Sequence, residues 1–119
     1  MVLIGLLAAW VAPASETWTC TFSPDEVDRS YTSTFVTGVD RVIETGLMSY
    51  GYEVLENNSD HLTFARSQYN AMLNAGFRLN QVAVVVTIDR RTDAVKKIFL
   101  QAHGERTDIQ RGTCERIEV

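Results

Sequence analysis

The alternation of apolar and polar positions is strongest between residues 81 and 102, where two β-rich runs flank a polar turn. In residues 82–88 the β-branched side chains alternate, and both faces are largely apolar. Such a period-two pattern predicts a strand, and an apolar second face indicates a central strand that is covered on both sides. Residues 95–102 return after a turn that has an aspartate at each end, which favours tight reversal. We therefore predict a long antiparallel hairpin here.

Apolar and polar residues also alternate in two segments near the ends of the chain, residues 17–23 and 113–119. In residues 17–23 Trp18, Cys20 and Phe22 share one face, and threonines occupy the other. Residues 113–119, which follow a glycine, carry the second cysteine, Cys114. Both segments are predicted to be strands, the first half-buried. If the two cysteines are joined, we expect these strands to lie side by side.

Residues 23–47 allow two interpretations. Ser23, Pro24 and Glu26 have the spacing of a helix start, and apolar residues then recur at helical intervals. Two glycines and a threonine-rich run oppose a helix. We favour two strands, at 32–37 and 41–44.

A second hairpin is predicted over residues 49–67, because four turn-forming residues at 57–60 separate two alternating runs. Residues 68–80 break the β pattern and suit one or two helical turns or a long loop. The predicted fold is therefore all-β: a small antiparallel meander of about seven or eight strands that closes towards a barrel or sandwich, with one short helix or long loop near 69–77. The alternative is an α+β fold with a helix at 24–47 on a four- to five-stranded sheet.

The first fourteen residues have the features of a cleaved secretory signal. A short uncharged apolar run precedes Ala12, Pro13 and Ala14, which fit the small-residue pattern of a cleavage site, although no basic residue precedes the run. Residues 15–119 would then form a single domain, periplasmic or secreted in a bacterium, with no stable membrane span after cleavage.

Only two cysteines, Cys20 and Cys114, are present, and an exported chain with an even count is typically disulfide-bonded. The net charge is −4, which disfavours a nucleic-acid surface. The two basic doublets, Arg90 with Arg91 and Lys96 with Lys97, fall at one hairpin end and are interpreted as solvated turn charges.

No catalytic motif is recognisable in the sequence, so we expect a protein that is not an enzyme and that holds neither a metal nor another cofactor. His61 and His103 are isolated in sequence. An envelope hydrolase would need one of them beside a carboxylate. The pairs Glu53 with Glu56 and Asp89 with Asp93 suit strand and turn positions better than catalysis.

The motif W-x-C-x-F at Trp18–Phe22, together with G-x-C at Gly112–Cys114 and the turn sequence of residues 86–92, resembles small exported bacterial proteins that are mostly uncharacterised. The resemblance implies a β domain in the cell envelope and no particular activity. Where such proteins often have a glycine in this turn, the chain has Asp93. In architecture alone, the expected domain is similar to bacterial inhibitors of C-type lysozyme.

These features favour a binding or interaction module, inhibitor-like in character, that contacts an envelope or foreign protein through loops 57–60, 68–80 and 103–108. The alternative is a binder of a small apolar ligand at one end of the barrel. The residues proposed for the ligand or partner region are Tyr50, Tyr52, Phe64, Tyr69 and Phe77.

Overall fold

The computed structural model describes residues 15–23, 30–46, 49–71, 79–101 and 107–117. Eight strands follow one another along the chain: β1 (Glu16–Ser23), β2 (Tyr31–Thr37), β3 (Arg41–Thr45), β4 (Tyr50–Asn57), β5 (His61–Ala71), β6 (Leu79–Asp89), β7 (Ala94–Gln101) and β8 (Thr107–Ile117). Each strand pairs antiparallel with the next, and β8 pairs with β1, so the meander closes into a barrel. The predicted all-β fold is confirmed.

The strand interpretation is correct for the described residues of the segment 23–47, because β2 and β3 lie where a helix was the alternative; residues 24–29, with the possible helix start, lie outside the described part of the chain. The pairing of β2 with β1 explains the outcome: Phe35 lies opposite Trp18, and both side chains are buried. Burial of two large aromatic side chains contributes more than the helix-capping signal before this segment could.

The predicted helix or long loop near 69–77 is wrong at its beginning. Strand β5 continues to Ala71 and pairs there with Leu79 of β6, so Tyr69 belongs to a strand. Residues 72–78 lie outside the described part of the chain. The polar connection predicted at 103–108 is also too long, because β8 begins at Thr107. The proposed signal segment, residues 1–14, lies outside the described residues.

The barrel interior is filled by the inward faces of the strands. Its centre is an aromatic group in which the ring centroid of Phe64 lies 5.1 Å from that of Phe35 and 5.0 Å from that of Tyr52. The contacts are tilted or edge-on, which suits aromatic quadrupoles. The buried apolar residues are Trp18, Cys20, Phe22, Phe35, Val42, Tyr52, Leu62, Phe64, Val84, Val86, Ile88, Val95 and Cys114.

The disulfide joins the first strand to the last. Cys20 and Cys114 are direct partners in the β1–β8 register and are bonded to each other, as predicted. Gly112 lies opposite Phe22 at the same seam. A Cβ atom at Gly112 would come within 1.9 Å of the carbonyl oxygen of Thr21, so only glycine permits this approach of the two backbones.

In the β6–β7 turn, Asp93 occupies the position where the resemblance described above leads one to expect a glycine. Asp93 has a φ of 64°, in the left-handed region that aspartate tolerates better than most residues. The carboxylate of Asp89 accepts the backbone N–H of Arg91 at 2.8 Å and that of Thr92 at 3.3 Å. The carbonyl of Asp93 accepts the N–H of Cys114 at 2.7 Å, which ties the turn to β8.

Candidate functional site

A charged pair lies inside the barrel among aromatic rings. Lys97 of β7 donates from Nζ to Oε2 of Glu44 on β3 at 3.1 Å, and both side chains are buried. The hydroxyl of Tyr52 donates to Oε1 of Glu44 at 2.5 Å, and Ser33 adds a further hydrogen bond to this carboxylate. The pair is therefore supported by neighbouring polar groups, as buried ions require.

Aromatic rings surround the lysine ammonium. Its Nζ atom lies 4.7 Å from the ring centroid of Phe22, 5.5 Å from that of Tyr31 and 5.7 Å from that of Phe35. These distances fall within the range of cation–π attraction, which is strengthened by removal from water. The aromatic groups thus replace part of the hydration that Lys97 loses.

Burial and this pairing change several pKa values. Burial lowers the pKa of Lys97, against the opposing effect of the Glu44 charge. Burial alone would raise the pKa of Glu44, but the hydrogen bond from Tyr52 and the charge of Lys97 outweigh it and leave that pKa below its ordinary value. Burial, reinforced by the Glu44 charge, raises the pKa of Tyr31 to about 12. Such shifts are frequent at functional sites but also occur in structural ion-pair networks.

A second cation, Arg66 of β5, stacks on tyrosines of β4. Its Cζ atom lies 3.9 Å above the ring centroid of Tyr50 and 5.3 Å from that of Tyr52. Tyr50 and Arg66 are both half-buried. On the β2 side, the hydroxyl of Tyr31 donates to Oε1 of Gln110. These residues lie towards the end of the barrel where β3 connects to β4.

The opposite end of the barrel is closed by a different ion pair. Arg90 forms two hydrogen bonds with the carboxylate of Glu16, at 3.0 and 2.5 Å, and donates to Oδ1 of Asn57 at 2.7 Å. The side chains of Arg90 and Glu16 are only 6% and 5% exposed. The bidentate geometry fixes β1 against the β6–β7 turn.

The interpretation of the basic doublets as solvated turn charges is wrong for one residue of each. Lys97 and Arg90 are buried in ion pairs, whereas Lys96 and Arg91 are exposed. Strand alternation could have indicated Lys97, because it lies between the inward positions of Val95 and Phe99. The same alternation places Glu44 inward, two residues after Val42.

Of the five residues proposed for a ligand or partner region, the structure describes the side chains of Tyr50, Tyr52 and Phe64. Tyr52 and Phe64 pack in the central aromatic group, and Tyr50 lies at its margin with Arg66. The backbone of Tyr69 belongs to β5, and Phe77 lies outside the described residues. The three described side chains thus lie partly in the core and partly at one end of the barrel, and the proposed region stays a prediction.

Of the two histidines, the structure describes His61. Nδ1 of His61 lies 3.6 Å from Oε1 of Glu56, and the side chains are 43% and 54% exposed. His103 lies outside the described residues. Turn 57–60 is held by Asn58, whose Oδ1 accepts the N–H groups of Asp60 and His61, both at 2.8 Å.

The outer wall over β5–β8 carries an unbroken apolar row. Ala65, Val85, Ile98 and Ile109 are direct partners from strand to strand. All four are half-buried, and in the described part of the chain no strand or helix packs over them. The sequence pattern predicted a cover on both faces of β6. Among the described residues, the barrel core covers the inner face of β6 and no other element covers the outer face.

Two shallow hollows flank this row. One lies beside Ala65, where the small residues Gly51, Ser67 and Ala83 leave space next to the exposed Leu55. The other has a volume of about 450 Å³ and is lined by His61, Thr87, Asp89, Ala94, Val95, Lys96, Arg111 and Gly112. The wall formed by β1 and β2 is mostly polar: its outward positions carry Thr17, Thr19, Thr21, Thr32 and Thr34 together with the exposed Val36.

The fold and these features define a small disulfide-linked, eight-stranded antiparallel barrel with an aromatic and ionic interior. Comparisons with family profiles, curated proteins and solved structures give no match for this chain. Within the described residues, no helix has the length and apolar character needed to cross a membrane. The function must therefore be argued from the residues themselves.

Proposed function

We propose that this protein is an exported binding module that holds another protein, from the cell envelope or from outside the cell, against the outer wall of β5–β8. The observation that carries the proposal is the apolar row of Ala65, Val85, Ile98 and Ile109. Outward positions of an antiparallel sheet are normally polar where they face water. A contiguous apolar surface of this kind is typical of an interaction site.

The filled interior supports a binding surface on the outside. Phe35 and Phe64 are fully buried at the barrel centre, and the Lys97–Glu44 pair spans the space beside them. An eight-stranded barrel has room either for its own side chains or for one small ligand. In the described residues, side chains occupy the central part of that volume.

Closure of the barrel restricts how a partner can bind. A partner cannot extend the sheet by adding a strand, because each of the eight strands already pairs on both sides. Contact must therefore be made through side chains of the wall. Across three inter-strand spacings the apolar row extends roughly 14 Å, which suits the centre of an interface of ordinary size surrounded by a polar rim.

One further feature supports export, and another concerns the alternative of an envelope hydrolase. The Cys20–Cys114 disulfide is typical of an oxidising compartment, such as the periplasm or the exterior. The exposed contact of His61 with Glu56 has the geometry of a surface ion pair, and we propose no hydrolytic role for it.

The test is a comparison of two aspartate variants on opposite walls. Ile98→Asp places a carboxylate in the apolar row, and Thr34→Asp places one at a half-buried outward position of β2. A partner captured from native envelope extract should be identified, purified and titrated against the wild-type protein and both variants. We expect Thr34→Asp to bind like the wild type and Ile98→Asp to bind at least about tenfold more weakly.

Equal binding by both variants would reject the wall as the binding surface. Sedimentation of the purified protein gives an independent outcome. If the wild type is a dimer and Ile98→Asp a monomer, the row is covered by a second copy of the chain and the proposal is wrong.

A second candidate function is the binding of a small ligand at the end of the barrel near Tyr50. The stacked, half-buried Tyr50 and Arg66 favour it, since aromatic surface with a few polar groups is typical of ligand sites in barrel mouths. Native mass spectrometry of protein purified from its own envelope should then show an adduct that Arg66→Met loses. An adduct-free mass would count against this candidate.

A further inference from the structure

The wall of the barrel has a gap between β4 and β5. The hydrogen-bonded register of these two strands ends where Glu53 lies opposite Ala65. Past this point β4 remains paired with β3 back to Tyr50, and β5 remains paired with β6 up to Ala71. The two strands therefore separate over this part of the wall, although the sheet as a whole is closed.

Backbone hydrogen-bonding groups point into the gap. In an antiparallel sheet the N–H and C=O groups of successive residues point alternately to the two neighbouring strands. The N–H of Val54 donates to the β2–β3 turn at 3.1 Å, so the backbone groups of Gly51 point the other way, towards β5. The N–H of Arg90 donates to Asp60 at 2.8 Å, so those of Ser67 point towards β4.

These two residues would form the next hydrogen-bonded pair of β4 and β5. Gly51 and Ser67 are both described and exposed, yet the register does not join them. Each therefore presents an N–H beside a C=O to the space between the strands. In a continuous pair the two residues would exchange both hydrogen bonds with each other.

A hollow of about 460 Å³ occupies this gap, a volume typical of small-molecule sites. Two planar groups line its inner side, the phenol ring of Tyr52 and the guanidinium of Arg66. Arg66 is held in position by its stacking on Tyr50, with 3.9 Å from Cζ to the ring centroid. Four small residues leave the outer side open: Gly51, Ala65, Ser67 and Ala83.

The backbone groups define the chemistry of the ligand. A group that satisfies an N–H beside a C=O must carry an acceptor beside a donor, as a carboxamide or a lactam does. A carboxylate would leave the carbonyl oxygen facing a second acceptor. A peptide strand would gain little, because on the β4 side only Gly51 directs its backbone groups into the gap, and ordering a flexible segment costs conformational entropy.

We propose that the gap between β4 and β5 binds a small planar molecule that carries a carboxamide or lactam group. The amide edge of this molecule pairs with the backbone of Gly51 or Ser67, and its ring packs on Tyr52 and on the guanidinium plane of Arg66. The proposal goes beyond the proposed function, because the site opens through the side of the barrel, beside the apolar row, and needs no protein partner.

Benzamide is the probe that tests this site. In a nuclear magnetic resonance titration of the isotope-labelled, oxidised protein, it should cause saturable shifts of the backbone amide signals of Gly51 and Ser67. A dissociation constant on the order of 1 mM is expected for a molecule of this size. Acetophenone keeps the shape and the acceptor but lacks the N–H donor, so it should bind at least about fivefold more weakly. Benzoate should also bind more weakly than benzamide.

A matched pair of variants locates the binding site. Ala83→Leu fills the hollow from β6 and should abolish the saturable shifts. Ala94→Leu makes the same substitution in the other hollow, on β7, and should bind benzamide like the wild type. The remaining amide signals of each variant show whether it is folded.

Three results would overturn the proposal. Benzamide that causes no saturable shift at Gly51 or Ser67 would exclude the gap as its site. Equal affinities for benzamide, acetophenone and benzoate would show that the amide group is not recognised. Equal loss of binding in Ala83→Leu and Ala94→Leu would show that the hollow between β4 and β5 is not where the ring lies.

Discussion

Lys97 donates a hydrogen bond of 3.1 Å to Glu44 across the full width of the barrel. The two residues lie on β7 and β3, which are four strands apart in either direction around the closed sheet of eight. They are therefore on opposite walls. This ion pair joins two parts of the sheet that share no backbone hydrogen bonds, and it does so within the aromatic interior.

Substitution of one member of this pair should be strongly destabilising. Glu44→Gln preserves the shape of the side chain but leaves the Lys97 ammonium in the barrel without its counter-ion. We expect the free energy of unfolding to fall by about 3 kcal/mol, the usual cost of breaking a buried pair. Urea unfolding monitored by circular dichroism of the oxidised protein measures this change.

The double variant Glu44→Gln/Lys97→Met is the matched control for that experiment. Removal of both charges takes away the desolvation cost together with the attraction, so stability should recover to within about 1–2 kcal/mol of the wild type. If the double variant were as unstable as the sum of the two single variants, the residues would not be coupled across the barrel.

Stability should fall in acid in a way that depends on Glu44. Its folded-state pKa is below the ordinary value of 4.5, so its stabilising contribution is complete above that pH and is lost as the pH falls through the folded-state pKa. Urea unfolding at a series of acidic pH values should show a steeper loss for the wild type than for Glu44→Gln.

The acid dependence will not vanish entirely in that variant. Hydrogen bonds from the Arg91 and Thr92 backbone N–H groups also hold the pKa of Asp89 below its ordinary range. Identical acid profiles for the wild type and Glu44→Gln would contradict the role assigned to Glu44.

The phenol groups of the half-buried Tyr31 and the buried Tyr52 should ionise at a higher pH than an ordinary tyrosine. Burial, reinforced by the Glu44 charge, raises the pKa of Tyr31 to about 12. Burial and the hydrogen bond to Glu44 raise that of Tyr52 as well. Above pH 10.0 the phenols of the unfolded chain lose their protons, whereas those of the folded protein retain them. The stability that the raised pKa values contribute is therefore fully present below pH 10.0 and is lost as the pH rises towards 12.

The phenolate absorbance reports this ionisation directly. Unfolding curves would mix the tyrosine contribution with that of Lys97, whose lowered pKa makes stability rise with pH below 10.5. In an absorbance titration of the native protein, part of the tyrosine signal should appear only well above pH 10.0, and Tyr31→Phe should remove some of that late signal. A single transition at the ordinary phenol pKa would contradict the burial of these hydroxyls.

Much of the barrel architecture could be predicted from local patterns in the sequence. Alternation identified β1 through Trp18, Cys20 and Phe22, and it identified the β6–β7 hairpin through its valines. The disulfide followed from the cysteine count, and its formation implied that β1 and β8 are neighbours. These features could be predicted because each depends on residues close in sequence or on the single possible pairing of two cysteines.

Alternation places Lys97 and Glu44 at inward positions, but it could not predict that the two side chains pair inside the barrel. A lysine next to another lysine is most often solvated, and only the partner from a distant strand makes burial of Lys97 acceptable. Glu44 lies 53 residues away, and nothing local connects the two. The apolar row could not be predicted from local pattern either, because only the strand register brings Val85, Ile98 and Ile109 together on one surface.

The seam between β1 and β8 should be highly sensitive to a single methyl group at Gly112. In Gly112→Ala the new Cβ would lie 1.9 Å from the Thr21 carbonyl oxygen, which is backbone and cannot rotate away. The strands would have to separate next to Cys20 and Cys114. We expect a loss of about 3 kcal/mol in the free energy of unfolding, at the upper end of the usual cost of overpacking.

Gly51→Ala is the matched control for this prediction, because it makes the same substitution in strand β4. There the nearest atom to the new Cβ would be Cδ1 of Ile43 at 3.8 Å, an ordinary van der Waals contact. Gly51→Ala should therefore be neutral or slightly stabilising, since alanine reduces the conformational freedom of the unfolded chain. Thermal unfolding of both oxidised variants measures the difference. Equal transition temperatures would mean that β1 and β8 do not approach each other this closely at Gly112.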